Sequence, residues 1–485
     1  MADTPLHYMT ITEVAALIKA REISPVEVTE AMLRRIEQID GKYKSYATVM
    51  ADQAHAAAKS AESEITAGRY RGPLHGVPFA VKDLCFTKGV RTMGGSKVYI
   101  DHVPNFDATV VVKLNAAGAV PLGKLNLTEG AMGGYNPALD LPLNPWNIDH
   151  WCGSSSSGSG VATAAGLCFG SLGSDTGGSI RFPAAACGTV GLKPTWGRVS
   201  RYGVFALAES LDHVGPLTRS SADAAISLQA IAGQDPNDPT SLPASVPDML
   251  DGIDSGVQGV RIGLDEKYAT DGVDPELAAA VIEGVAVMKE LGAEIVQVQM
   301  PDVDSYLPAW PVLCSAEAVA AHRDNYPSRR DDYGPWFRGW LDMGSAVTGA
   351  DYAEANNRRA ALNGLIRDVF ADIDVLACPS TTGPARPITR EEMYGHLSAD
   401  RGTSFQRYTV PYDYNGAPTI SLPCGLNSDG LPLSLQFVGK ALSEPLLCRI
   451  GHAYEQATDW HNLHPRFDGY NATYPPSRGM DTPVT

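Results

Sequence analysis

C-G-S-S-S-S-G-S-G-V-A-T-A-A-G-L-C-F-G-S-L-G-S-D-T-G-G-S-I-R-F-P-A, residues Cys152 to Ala184, holds two turns rich in serine and glycine joined by an apolar segment. The first turn is Gly153 to Gly160. The join, Val161 to Leu172, is long enough for one small helix and a buried strand. The second turn, Gly173 to Ser179, runs into Ile180-Arg181-Phe182-Pro183. Glycine and serine packed this densely suit backbone that must come close to something and hydroxyls that must point at it. Runs of this composition are commonly flexible linkers. The join is too apolar to lie in solvent, however, so both turns are expected to be pinned to a core.

Upstream, Phe79-Ala80-Val81-Lys82-Asp83 reads as an apolar strand ending in a charged pair, after the punctuation Arg71-Gly72-Pro73-Leu74-His75-Gly76-Val77-Pro78. A lysine after a strand is usually a solvated end. Here the preceding apolar residues point to burial, which lowers an amine's pKa towards neutrality. Other chemistries find little support. Neither turn is a G-x-x-x-x-G-K-[ST] loop, no G-x-G-x-x-G fits, and there is no H-E-x-x-H. The G-x-S-x-G elbow is absent from both turns. None of the 11 histidines sits in a motif: His75 and His102 lie in loop-like sequence and His213 follows Asp212. What remains is a serine activated by something other than histidine, and lysine is the candidate base with a strand to hold it.

The pattern G-S-S-S-S-G-S followed by G-S-D-T-G-G-S-I-R-x-P-A, with the strand ending Lys82-Asp83, resembles the amidase signature family of serine hydrolases. The resemblance implies that Ser179 is a nucleophile, that Ser155, 24 residues earlier, bridges it, and that Lys82 is the base. Neutral Lys82 would take a proton from Ser155, which takes one from Ser179. The turn Thr176-Gly177-Gly178, placed at the start of a helix, would supply N–H donors to an oxyanion, because such groups have no intrahelical partner. The turn Met132-Gly133-Gly134-Tyr135 matches one that lies beside substrate in the family. Asp175 and Arg181 read as structural partners that hold the second turn, and Ser154, Ser156, Ser157 and Ser159 as turn and hydrogen-bonding residues. Ser154 and Ser157 depart from the glycines usual in the family, which also places a cis peptide before the bridging serine, here Ser154–Ser155.

The implied fold is α/β, a single large domain with a central mixed β-sheet flanked by helices. The implied activity is that of an amidohydrolase cleaving a carboxylic amide, anilide or carbamate, as an aryl acylamidase or urethanase does. Two other readings stand beside it: the amidase subunit of a tRNA-dependent glutamine amidotransferase, and a non-catalytic binding protein on this scaffold. No cofactor and no metal are implied. The expected partner is a small-molecule amide or carbamate substrate, with no nucleic acid and no membrane, and the chain is expected to be a monomer or homodimer.

Composition bounds these readings. The 485 residues are 44% hydrophobic and 19% charged, ordinary for a globular chain. Lysine and arginine number 38 against 55 acids, a net charge of −17 that argues against a nucleic-acid-binding surface. No apolar run approaches the roughly 18 residues that a membrane span needs. Met1 to Pro5 lacks the basic and apolar regions of a secretory signal. The 8 cysteines are scattered without C-x-x-C spacing, so a reducing, cytoplasmic setting is expected.

Residues 1–485 are read as one domain. N-terminal helices (about 8–68) begin with Thr10-x-x-Glu13 and Ser24-Pro25-Val26-Glu27 and end near Ala67, before Gly68. A catalytic core (about 70–230) follows, with a helix from Asp107 to Ala117 and a strand from Ala119 to Leu122. A more divergent region (about 235–400) holds a strand from Val260 to Leu264, a helical run from Pro275 to Leu291 and a buried strand from Asp374 to Pro379. Its aromatic residues Trp310, Tyr326, Tyr333, Trp336, Phe337 and Trp340 read as core and helix packing ahead of pocket lining. The C-terminal core segment (about 405–460) recovers the family pattern at Asn415-Gly416-Ala417-Pro418 and Leu435-Gln436.

Overall fold

Helices begin where the sequence carries caps. The Thr10 hydroxyl accepts the Glu13 N–H while the Glu13 carboxylate accepts from the Thr10 N–H, opening α1 (Ile11–Ala20). Ser24 and Glu27 do the same for α2 (Pro25–Tyr43), with Pro25 at the first helical position. α3 (Ala51–Thr66) stops before Gly68, whose φ of 82° is the left-handed conformation that glycine adopts without cost. The computed structural model describes residues 4–397 and 404–467 of the chain.

Eleven strands form one sheet. They are β1 (Tyr46–Val49), β2 (Pro78–Lys82), β3 (Val120–Leu125), β4 (Gly170–Asp175), β5 (Val190–Lys193), β6 (His213–Thr218), β7 (Arg261–Leu264), β8 (Glu294–Gln297), β9 (Val375–Pro379), β10 (Thr419–Leu426) and β11 (Pro432–Gly439). Their order across the sheet is β1-β3-β2-β4-β6-β5-β10-β11-β9-β7-β8. β2 runs parallel to β3 and β4, and β7 to β8 and β9; the other neighbours are antiparallel. The sheet is therefore mixed, and the chain is the single α/β domain that the family resemblance implies. Every residue of β4, β6 and β11 is buried, as central strands covered on both faces are, while β8 at one edge is half open.

The remaining helices are α4 (Thr109–Ala116), α5 (Ser157–Ala164), α6 (Arg181–Cys187), α7 (Ser221–Ile231), α8 (Glu266–Thr270), α9 (Pro275–Glu290), α10 (Ala309–Ala321), α11 (Pro335–Ser345), α12 (Gly349–Val369), α13 (Arg390–Tyr394), α14 (Val410–Tyr414) and α15 (Glu444–Ala457). The expected helix at Asp107–Ala117 is thus α4, which starts at Thr109 and ends at Ala116, and the strand expected from Val260 begins one residue later. The apolar join Val161–Leu172 splits into the end of α5 and the start of β4. α5 and α6 pack on each other and against the middle of the sheet.

Two features of this topology place the site. The parallel pairing of β2 with β4 sets Val81 beside Leu172, so both strands deliver their C-terminal ends to the same edge of the sheet. Loops after the carboxyl ends of parallel strands are where ligands bind in such sheets. In addition, Gly173 lacks a Cβ that would lie 2.8 Å from the Ser156 hydroxyl, which lets the first serine turn lie directly on β4. All 8 cysteines are buried and unpaired. Among the described residues no helix is long and apolar enough to cross a membrane.

Candidate active site

Lys82 ends β2 and is fully buried. Its Nζ lies 2.7 Å from the Ser155 hydroxyl, 2.9 Å from that of Ser156 and 2.9 Å from that of Ser174. The adjacent Asp83 does not pair with it. β2 ends at Lys82 and the chain turns at Asp83, which reaches Lys124, 3.4 Å away, and accepts the Met93 N–H at 3.0 Å. Burial without a contacting carboxylate pushes the Lys82 pKa down to about 7, against the weaker pull of the Asp175, Cys85 and Asp212 charges.

The hydroxyl cage limits where protons can sit. A neutral amine has two N–H donors and one lone pair, so of three hydroxyl neighbours two accept and one donates. Ser156 already donates to the Ser174 carbonyl at 3.1 Å and accepts the Ser174 N–H at 3.1 Å, so towards Lys82 it can only accept. Of the other two hydroxyls, Ser155 is the closer. The Ser154–Ser155 peptide is cis, as the resemblance implies despite the serine at 154.

The second turn is held by charge. Asp175, at the end of β4, accepts the Gly178 N–H at 2.7 Å and the Ile180 N–H at 2.9 Å. Arg181 donates to the same carboxylate through Nε at 3.0 Å and Nη2 at 2.8 Å, and reaches Asp413 at 2.7 Å and the Thr409 carbonyl at 2.9 Å. Burial, the largest single influence, would raise the Asp175 pKa; the charge and hydrogen bonds of Arg181, with Lys193 and the Ile180 N–H, together outweigh it and hold the carboxyl well below its ordinary range. Asp175 and Arg181 thus sit where the sequence reading placed them, as the frame of the turn. The helix itself starts later than expected, at Arg181 with Ile180 as its cap.

This frame corrects one donor assignment. The Gly178 N–H is committed to Asp175, and Gly178 does not line the cavity, so it is not an oxyanion donor in this geometry. Thr176 and Gly177 do line it. The Thr176 carbonyl accepts from the Trp310 indole at 2.9 Å and the Gly177 carbonyl from the Thr409 hydroxyl at 2.7 Å. Because a trans peptide sets its N–H opposite its carbonyl, the Gly177 N–H is directed away from Trp310. A Cβ on Gly177 would fall 2.5 Å from the Trp310 ring, which restricts the position to glycine.

From Ser155 to Cys187 every residue is buried except Ser179, which is partly open. It opens into a cavity of about 460 Å³ whose aromatic walls are Trp151, Phe182, Trp310, Trp336, Trp340 and Phe405. Among the described residues the lining contains no Asp, Glu, Lys, Arg or His. Of the expected substrate-side turn, Met132 and Gly133 line this cavity. Gly134 instead lies under Trp336, and Tyr135 is buried with its hydroxyl donating to Ser157 at 2.8 Å. The aromatic residues of the divergent region also divide: Trp310, Trp336 and Trp340 are cavity walls as well as core, a correction to the packing reading, whereas Tyr333 and Phe337 are core alone.

Sequence reasoning did not single out Ser174, which completes the Lys82 cage, or Gln406, whose side chain lines the cavity next to Gly177. Ser174 stands in the quoted second turn, so its signal was present. Gln406 carries none. Among the described residues no cluster of His, Cys, Asp or Glu could hold a metal ion.

Comparison with known proteins identifies the family. A family model described as Amidase matches residues 27–448. A Mycobacterium bovis protein named as the amidase AmiD is 46% identical over 460 residues, covering 94% of this chain and 96% of that one. A glutamyl-tRNA(Gln) amidotransferase subunit from Geobacter metallireducens is 39% identical, over 93% and 98% of the two chains. Among solved structures, a bacterial aryl acylamidase of the amidase signature enzymes superposes with a TM-score of 0.85 at 26% identity, over 95% of this chain and 98% of that one.

The charge frame can be tested by stability. Asp175→Ala leaves Asp413 as the one carboxylate paired with the buried Arg181 and frees the backbone N–H groups of Gly178 and Ile180, and should cost about 3–5 kcal/mol. Urea denaturation would register this as a lower midpoint at unchanged slope; an unshifted midpoint would mean the network contributes little.

Proposed function

The chain belongs to the amidase signature family and is an amide-hydrolysing enzyme, and from that premise we propose that Ser179, Ser155 and Lys82 cleave neutral amides, anilides or aryl carbamates with apolar, aromatic groups. The observation that carries the substrate class is the cavity at Ser179, walled by aromatic side chains and, among the described residues, without a charged one. Such a cavity rewards an apolar substrate by area removed from water, at about 25 cal/mol per Å². It offers no counter-charge to an ammonium or carboxylate, whose desolvation would go uncompensated. That weighs against the glutamine of an amidotransferase, and a lysine–serine cage kept intact weighs against a non-catalytic scaffold.

The proposed reaction follows from the proton inventory. Neutral Lys82 accepts the Ser155 proton as Ser155 accepts that of Ser179, and the Ser179 oxygen bonds to the carbonyl carbon. The carbonyl's electron pair moves onto oxygen, where the Gly177 N–H is the donor best placed to meet it, with the Thr176 backbone beside it. Collapse of the adduct breaks the bond to the leaving group, and the proton held on Lys82 returns through Ser155 to the departing amine. An unprotonated amine leaves poorly, so this return is what amide cleavage requires. Water then repeats the sequence at the acyl-enzyme and releases Ser179.

Ser179→Ala should fold and show turnover near background, and a fluorophosphonate should label the native chain at Ser179 and spare the variant. Label that persists in Ser179→Ala would move the nucleophile into the 154–157 run.

With the Lys82 pKa at about 7, the active neutral form falls about tenfold for each pH unit below that value and is nearly complete about one unit above it. For a neutral anilide, kcat/KM is therefore expected to rise with pH and level off just above neutrality. Lys82→Ala should abolish the inflection, and Lys82→Arg should not restore it, because a guanidinium keeps its proton. An unchanged inflection in Lys82→Ala would assign the titration to another group.

A further inference from the structure

Glu129 is almost fully buried, and its carboxylate joins three separate pieces of chain. Oε1 accepts from the Ser96 hydroxyl at 2.7 Å and from Asn136 Nδ2 at 2.8 Å; Oε2 accepts the Gly334 N–H at 2.7 Å. Gly334 is the cap position of α11 and has no side chain of its own to serve there. Glu129 accepts the cap residue's own N–H from a distant segment, the part that the third helical residue's carboxylate plays in a capping box, and brings a negative charge to the positive end of that helix. Burial pushes its pKa up to about 7, and the three donors favour the ionised form that accepts them.

Both sides of this clamp face the substrate cavity. α11 contributes Trp336, Trp340 and Met343, while the loop beginning at Glu129 contributes Ala131, Met132 and Gly133. The two are in close contact: a Cβ on Gly133 or on Gly134 would lie 2.8 Å or 2.5 Å from Trp336. The loop is also under strain. Gly130 and Ala131 both have φ of 59°, and for alanine this left-handed backbone costs about 1–2 kcal/mol. A strained backbone persists only where its surroundings over-determine it, and the carboxylate next to it, tied to three segments, is such a constraint.

Resting on the reading of Ser179 as nucleophile, we propose that Glu129 is a positioning residue that sets the shape of the substrate cavity, by locking the 129–134 loop to the helix bearing Trp336 and Trp340. It touches no reacting atom. Its action is on which substrates fit, so its loss is felt by large aromatic groups and hardly by small ones. Both carboxylate oxygens must accept. Asn136 cannot turn its amide over, because its Oδ1 accepts the Ala138 N–H at 3.0 Å and its Nδ2 also donates to the Asp332 carbonyl at 2.9 Å. A glutamine at 129 therefore keeps the volume but sets one N–H donor against another.

The test compares the full-length native chain with Glu129→Gln and Ser96→Ala, using two fluorophosphonates, one with a methyl group and one with a biphenyl group, and reads the rate of labelling at Ser179. In Glu129→Gln the biphenyl probe should label at least about tenfold more slowly, the lower end of the worth of one hydrogen bond to a charged group, while the methyl probe changes by less than about twofold. Ser96→Ala removes one of three donors and leaves both carboxylate oxygens accepting, from Asn136 and from Gly334; with its fold checked by its urea midpoint, it should shift the same ratio in the same direction by a smaller factor. The same split is expected as a raised KM for a biphenyl anilide with little change for acetanilide. Equal slowing of both probes, or no change in either, would overturn the proposal and leave Glu129 a stability residue at most. If Glu129→Gln proves unfolded by its urea midpoint, the Ser96→Ala ratio decides alone. Failure of the native chain to label at Ser179 would instead overturn the nucleophile assignment, and this proposal with it.

Discussion

A lysine amine held away from water with hydroxyls but no carboxylate around it is the constraint on which the site depends. Lowering an amine from 10.5 to about 7 corresponds to disfavouring its charged form by on the order of 5 kcal/mol. Any acid within contact distance would return that energy and fix the proton on nitrogen. The fold prevents this by ending the strand. Lys82 and Asp83 are neighbours in sequence, yet the chain turns after Lys82 and Asp83 is occupied by Lys124 and the Met93 N–H. What faces Lys82 is neutral and can both give and take protons.

Charge is used in the opposite way a few residues further on. Asp175, Arg181 and Asp413 are all buried and directly paired, and the carboxylate of Asp175 also collects two N–H groups of the turn. A buried ion pair adds little net stability compared with apolar packing, but removing one member is expensive. Here it fixes a backbone shape that hydrophobic contact alone would not specify. The same network explains why Ser179 is the open residue in a buried stretch: the turn before it and the helix after it are both tied down. Proton-labile and charge-rigid groups thus sit side by side, one at the end of β2 and the other at the end of β4.

The walls of the cavity have a different origin. They come from segments far apart in the chain: the 129–134 loop, α10, α11 and the residues around Phe405 and Gln406. None of these makes the hydroxyl cage around Lys82, and they lie largely outside the signature stretch. The walls are aromatic and, among the described residues, without a charged side chain, and the Glu129 carboxylate ties two of the segments that form them.

The helix starts at Thr10 and Ser24 are legible in local caps, while the α/β class and the interest of Lys82, Ser155 and Ser179 come from the resemblance of three short motifs to a family, with Asp175 and Arg181 read as partners that hold a turn. Caps and motifs are short-range patterns and survive without knowledge of what packs against them. The fold adds which hydroxyls surround Lys82 and which side chains share a wall. Ser156 and Ser174 join Lys82 because β2 and β4 run parallel; the Gly178 N–H is lost to Asp175 because the turn closes on its own carboxylate. Trp336 could be read as core or as pocket, and both hold, since one face packs on glycines and the other meets the cavity. Gln406 and the clamp from Glu129 to Gly334 join residues too far apart in sequence for any periodicity to pair them. Contacts between distant segments are set by the sheet order and by the close approach of glycine to aromatic rings, and neither quantity is written in a local window of residues.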